Sequence, residues 1–296
     1  MKLIGKYQNG NYQVRIFDDG TKIRETEEDD FIPQFSENCD CKLTDKCQIG
    51  CPFCYEGCTP AGEHAVLDLN SNFFKSLHPF TELAINGNDM DHPQMVEFLN
   101  TLKEKKVIAN ITVNQKQLEK SFDFIKSLQT DNLVYGIGVS LVEANDKLVE
   151  MISSLKNVVL HTICGVLTED QVNFLKDKDL KILILGYKDL KRGHSYKESN
   201  DSVIAKNQKY LYDNLDSLTR MFNVVSFDNL AIEQLDVKRI MTDEEWEEFY
   251  MGDDGHYTFY VDLVKNEFAK NSLSQTRYPM NDMTIDEMFN VILQNN

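Results

Sequence analysis

From residue 39 to residue 232, short apolar runs alternate with amphipathic stretches of helical spacing, and few folds accommodate that order. The runs are CDCKLT (39–44), ELAIN (82–86), IANITV (108–113), LVYGIGVS (133–140), NVVLHTIC (157–164), KILILG (181–186) and NVVSFDNLAI (223–232). Each is short and β-rich, as buried parallel strands are. Between them, 92–106, 116–129, 144–156 and 168–178 carry apolar residues three and four positions apart. Thr168, with Glu169 and Asp170 in the first turn, predicts a helix start. Six or seven successive βα units imply a parallel sheet, so the expected class is α/β, a partial (βα)6 TIM-like barrel. Such barrels place their chemistry in the loops leaving the C-terminal ends of the strands.

The two ends of the chain read differently. NYQVRIFDDGTKIRE (11–25) predicts a hairpin with Asp-Gly at its turn. HYTFYVDLVKNEFAKNS (256–272) predicts a second hairpin and TIDEMFNVIL (284–293) a short helix. The expected division is an N-terminal β-hairpin extension over 1–36, the barrel over 37–235, and a C-terminal α+β cap over 236–296. Terminal segments of this kind would enclose a substrate compartment, for which Lys188, Arg192, Asn229, Glu233, Tyr260, Asp262 and Arg277 are candidate linings.

Cysteine usage locates the chemistry. CQIGCPFCYEGC (47–58) holds four of the seven cysteines, directly after the first predicted strand of the series. The total is odd and Cys164 stands alone, which is no basis for a disulfide framework. The opening MKLIGKYQNGNYQVRIF lacks the apolar core of a signal peptide, and no stretch approaches the roughly 18 apolar residues of a membrane span. The expected setting is cytoplasmic, where clustered thiols more often hold metal than each other. Cys39 and Cys41 lie two apart on a strand, so they share a face and read as small core residues. Cys58 reads as a spare thiol near the site.

Charge narrows the partners. A net charge of −17 opposes phosphate neutralisation, so long nucleic acid is not an expected ligand. The basic stretch YKDLKRGHSYK (187–197) reads as a solvated loop. His161, in mid-strand, reads as a core histidine.

Three thiolates at the spacing C-x3-C-x2-C, Cys47, Cys51 and Cys54, are one short of the closed tetrahedron of structural zinc. They are also one short of the four that usually hold a four-iron cube, and a cube so held keeps one iron open to a ligand. A zinc module that adds Cys58, and a thiol redox pair at Cys51 and Cys54, are the alternatives from other functional classes. CQIGCPFC, with its aromatic just before the third cysteine, resembles the CxxxCxxC motif of radical S-adenosylmethionine (radical SAM) enzymes. That resemblance implies a [4Fe-4S] cluster on Cys47, Cys51 and Cys54, with S-adenosylmethionine chelated at the open iron and cleaved by one electron. The product would be a 5'-deoxyadenosyl radical that takes hydrogen from a substrate.

The same resemblance implies the other contacts. Phe53 would lie near the adenine. Asn86, Gly87, Asn88 and Asp89 occupy the place of a Gly-Gly-Glu-like segment that receives the methionine amino group, although Asn and Asp stand where glycine and glutamate are expected. Asn114 and Ser140 close the next two strands, and Gly165 and Leu185 match a loose adenine-binding pattern. The tail is similar in outline to a SPASM extension but holds no cysteine, so it implies no auxiliary cluster. A flavodoxin- or ferredoxin-type one-electron reductant is the implied partner. A peptide or protein side chain is the first expected substrate, and a small metabolite or nucleotide the second.

Overall fold

The structure, a computed structural model, describes residues 1–86 and 90–295. The chain opens with a three-stranded antiparallel sheet, β1 (Leu3–Asn9), β2 (Tyr12–Phe17) and β3 (Lys22–Glu25). There follow β4 (Asn38–Lys42), α1 (Asn72–Lys75), β5 (Glu82–Asn86), α2 (Met95–Glu104), β6 (Ile108–Asn114), α3 (Gln115–Lys120) and α4 (Phe122–Thr130). Next come β7 (Gly136–Ser140), α5 (Asp146–Ser153), β8 (Val158–Ile163), α6 (Glu169–Leu175), β9 (Lys181–Leu185), α7 (Arg192–Asp213) and α8 (Leu215–Leu218). The chain ends with β10 (Val224–Phe227), α9 (Asn229–Leu235), α10 (Asp243–Phe249), β11 (Thr258–Asp262), β12 (Glu267–Ala269), β13 (Tyr278–Pro279) and α11 (Ile285–Gln294).

Strands β4 to β10 pair in parallel, each with its successor, and curl into a partial TIM-like barrel of the expected class. The C-terminal segment joins the same sheet, with β11 parallel to β4 in the register Asp40↔Tyr260 and Lys42↔Asp262. Antiparallel β12 and β13 complete it.

Successive strand side chains point to opposite faces, and here the two faces differ in chemistry. Leu83, Ile85, Ile111, Val113, Ile137, Val139, Leu160, Ile182 and Ile184 turn outward and pack against helix residues such as Phe98, Leu102, Leu118, Leu148 and Val172. Cys39 and Cys41 belong to this buried layer, as their shared face predicts. The inward positions mix small or polar residues, Asp40, Ala84, Asn110, Thr112, Gly138 and His161, with apolar Val159, Leu183 and Leu185. The barrel interior is therefore a cup rather than the filled core of a closed barrel.

The N-terminal sheet stoppers the cup at the N-terminal ends of the strands. Tyr12, Val14 and Ile16 bury against Ile108 and Tyr257. Arg24 Nε reaches Glu37 Oε1 at 2.7 Å, the Tyr12 hydroxyl donates to Glu37 at 2.6 Å, and Lys22 bridges Glu37 and Glu82. Burial works to raise the Glu37 pKa, but Lys22 and Arg24 outweigh it and hold the carboxylate ionised. Lys181 closes the far side on the Asp19 carbonyl at 2.8 Å.

Three local readings change. NVVSFDNLAI is a strand only to Phe227, because the Asp228 carboxylate accepts the Ala231 N–H at 2.8 Å and starts α9. YKDLKRGHSYK is a loop only to Lys191, since Arg192 begins a long helix. Residues 3–9, whose exposure follows no clean alternation, form a third N-terminal strand. Among the described residues no helix is long and apolar enough to cross a membrane.

Candidate functional site

The loop leaving β4 crosses the open end of the cup, and a buried cation anchors its base. Lys42 Nζ sits 2.5 Å from Asp45, 2.9 Å from Glu56 and 3.2 Å from Asp262, with 1% of the lysine and 3% of Asp262 exposed. Burial by itself lowers an ammonium pKa, but these carboxylates more than reverse it and keep Lys42 charged. The loop is pinned again across the cup by residues that follow β9. Arg192 donates to the carbonyls of Cys51 and Cys58, both at 3.0 Å. Lys191 donates to the Glu56 carbonyl at 2.5 Å. Lys188 lies 4.0 Å over the Tyr55 ring and donates to Ser272 at 3.1 Å. The basic stretch thus clamps the cysteine loop.

Cys47, Cys51 and Cys54 are partly exposed free thiols. Asn114, the last residue of β6, donates its side-chain N–H to Cys51 Sγ at 3.6 Å. Its amide orientation is set from the other end, because its carbonyl oxygen accepts the Lys116 N–H at 2.9 Å to cap α3. Burial raises the Cys51 thiol pKa, with neighbouring Cys54 and Cys47 adding to it. A hydrogen bond from buried Cys58 holds Cys54 below the ordinary thiol range, while the same bond pushes Cys58 up.

Among the described residues, no three or more His, Cys, Asp or Glu side chains gather closely enough to hold a single metal ion. A cube is less demanding, because each thiolate takes a different corner. Three thiols on one clamped loop, near enough to shift one another's pKa and with an amide donor on Cys51, suit such a cluster.

The strand ends collect the other expected residues to differing degrees. Asn86, Asn114 and Ser140 are the last residues of three adjacent strands, and Asn114 pairs with Ser140. Leu185 ends β9 opposite Ile163. Gly87, Asn88 and Asp89 lie outside the described residues. Phe53 packs edge-on against Tyr196 of α7 with ring centres 5.7 Å apart. Gly165 has φ +89, and a Cβ there would stand 2.7 Å from Ile204 of α7, so turn geometry and helix packing already require glycine. Of the candidate linings, Asp262 is engaged by Lys42, and Asn229 and Glu233 border a cavity of about 390 Å³ with Asp254, Lys270 and Asn271.

His161, expected as a core histidine, is buried on the inner face of the sheet. It faces the cup on the inner side of β8, level with Ser140, while Leu160 packs outward. Burial lowers its pKa to about 4, which leaves a neutral imidazole. Gly138 makes room for it, since a Cβ there would lie 2.3 Å from His161 Cε1. Gly138→Ala is expected to cost about 1 kcal/mol, the low end for overpacking because the ring borders open space. Denaturant melts of the single variant and of Gly138→Ala/His161→Ala check this, the second change removing most of the cost.

No protein-family model and no curated protein matches this chain. Solved structures do. SuiB of Streptococcus suis bound to its precursor peptide SuiA has a TM-score of 0.54 at 13% identity, over 87% of this chain and 65% of that one. SuiB bound to S-adenosylmethionine has a TM-score of 0.52 at 14% identity, over 87% and 64%. This is a likeness of fold. The chain spans about two thirds of the length of the structures it matches.

Proposed function

We propose that this chain is a radical S-adenosylmethionine enzyme acting on a peptide or protein side chain. The observation that carries the reading is the placement of Cys47, Cys51 and Cys54 on one clamped loop at the C-terminal mouth of a partial barrel, with Asn114 against Cys51. The three thiolates would hold a [4Fe-4S] cluster. Such a group, when bound, supplies one electron to S-adenosylmethionine and so a 5'-deoxyadenosyl radical. Asn86, Asn114 and Ser140 line the adjoining strand ends where the methionine and ribose would dock, and Gly87, Asn88 and Asp89 follow Asn86 directly in sequence. Phe53, Gly165 and Leu185 are assigned to the adenine side.

The cup shields what is bound there. The stopper of Tyr12, Arg24, Lys22 and Glu37 keeps water from entering beneath, and the loop covers part of the mouth. Holding the substrate in one pose decides which hydrogen is taken. The likeness to SuiB, solved with a precursor peptide, supports a peptide substrate over the second reading of a small metabolite or nucleotide. A flavodoxin- or ferredoxin-type reductant in a reducing, cytoplasmic setting is part of the proposal.

The test is anaerobic reconstitution with iron and sulfide, then dithionite and S-adenosylmethionine. The expected result is one cluster per chain and release of 5'-deoxyadenosine. Stoichiometric zinc with no iron uptake, or no 5'-deoxyadenosine, would overturn the reading.

A further inference from the structure

The barrel does not close on itself. The sheet ends at β10 on one side, while β4 pairs with β5 and β11 rather than with β10. The segment between α9 and β11 meets both sides of this seam through Asp254. One of its carboxylate oxygens accepts from Asn229 at 2.8 Å, just beyond β10, and the other from Asn271 at 2.6 Å, just beyond β12. The cavity of about 390 Å³ lies here, and three carboxylates, Glu233, Asp253 and Asp254, line it against a single cation, Lys270. The chain leading to it, MTDEEWEEFYMGDD (241–254), holds seven acidic residues and no Lys or Arg. Such a wall attracts cations.

The cup also holds a carboxylate that no described cation meets in an ion pair. Asp40 faces inward on β4 and is accessible by area, yet it lies so deep that burial is the largest influence on its carboxyl and raises its pKa. A side chain both accessible and deep lines an internal space. Its one hydrogen bond with a described residue is a long 3.4 Å from Asn38. A carboxylate enclosed in this way costs free energy, which a bound cation offsets. Asp254 is near enough to push the Asp40 pKa further up, and Lys188 to oppose it. Lys188 in turn lies over Tyr55, the residue after Cys54, and donates to Ser272, the neighbour of Asn271. The seam cavity, Asp40 and the cysteine loop thus adjoin one another.

We propose that the seam cavity docks a cationic side chain of the substrate peptide, lysine or arginine, with its charged end held by Asp254 and directed toward Asp40. Ile232 and the Tyr250 ring give the apolar stem of such a side chain a surface to lie on. The inference rests on the peptide-modifying reading and adds the charge that the substrate carries.

Trp246, the only tryptophan of the chain, stacks on Tyr250 with ring centres 4.4 Å apart, so its fluorescence reports on the cavity. Anaerobic titration of the reconstituted holoprotein with acetyl-Gly-Lys-Gly-amide, and with the same peptide carrying Nε-acetyl-lysine, reads occupancy without turnover. The lysine peptide is expected to change the emission saturably and to bind about tenfold more tightly than the neutral one, the worth of a hydrogen bond to a charged group. Asp254→Asn and Asp40→Asn should each remove most of that preference. Glu97→Gln takes the same charge from exposed α2, which packs on β6 in the middle of the sheet, and should leave it unchanged. Thermal melts confirm folding, and Glu233→Gln, at an exposed lining carboxylate, carries the test with an expected threefold loss if the other two do not fold. Equal affinity for the two peptides, no saturable change, or a preference untouched in every cavity variant overturns the proposal. If 5'-deoxyadenosine still forms in that case, the docking site alone has failed. A lysine preference in a protein that forms no 5'-deoxyadenosine upholds the cation site and refutes the enzymatic reading.

Discussion

Alanine in place of Cys47, Cys51 or Cys54, one at a time, is expected to remove the cluster and with it all 5'-deoxyadenosine formation. The reason is stoichiometric. On the proposed reading three thiolates are the whole protein contribution, so two would leave a second corner open and the cube would be lost to solvent thiols and oxygen. The loss should exceed roughly a hundredfold in iron retention, beyond what removing an outer-shell partner costs. Cys58→Ala is the discriminating control. Its thiol is buried and bonded to Cys54, so the variant should keep iron but with an altered spectrum as that sulfur loses a hydrogen bond. Cys39→Ala and Cys41→Ala should keep iron as well, because both thiols lie in the outer core. Iron content and the electron paramagnetic resonance of the dithionite-reduced protein separate the outcomes. Loss of the cluster in Cys58→Ala, with retention in Cys47→Ala, would transfer the ligand set and refute the assignment.

Lys42→Met is expected to produce the largest stability effect. Asp45, Glu56 and Asp262 converge on this one ammonium, and Asp262 is almost wholly buried. Removing the cation leaves buried negative charge with nothing to neutralise it, typically a loss of about 3–5 kcal/mol. For a chain near this size that corresponds to a fall in melting temperature of roughly 10 °C. The geometry also ties the loss to the site, because Glu56 belongs to the cysteine loop and Asp262 to β11. Iron retention should fall along with stability. Pairing the change with Asp262→Leu should restore part of the stability, since an apolar pair can replace a buried ion pair at little cost. Thermal melts of the cluster-free forms measure both stability changes, and a change under 1 kcal/mol in Lys42→Met would show that the Lys42 ion pairs do not support the loop.

The cysteine spacing and the strand series were legible because both are local patterns. C-x3-C-x2-C needs no neighbour to be recognised, and the position of Cys47 just after CDCKLT follows from chain order. Likewise Asn114 directly follows its run and Ser140 ends its own in the sequence, and the two end β6 and β7 in the fold. Thr168 caps α6 as its first-turn acids predict. Lys188, Arg192 and Asp262 read only as possible linings of a substrate compartment. Their engagement by the loop depends on β9 and β11 arriving at its two sides, which no local pattern encodes. The face that His161 takes was not legible for a related reason. VVLHTIC is apolar almost throughout, and mid-strand histidine in such a run suggests a core. Only the sheet's curvature gives that strand one face on helices and another on open space.

By itself, then, the sequence determined the order of βα units, the three sulfurs and the strand ends nearest them, since side-chain periodicity and motif spacing are properties of neighbouring residues. Tertiary structure alone decided that residues 1–25 stopper the cup, that β11 docks beside β4, and that Lys42 and Arg192 clamp the cysteine loop. Those contacts join residues more than a hundred positions apart, or buried charges whose partners arrive from elsewhere in the chain. Their existence depends on the fold closing, and their energy on the water that closure removes.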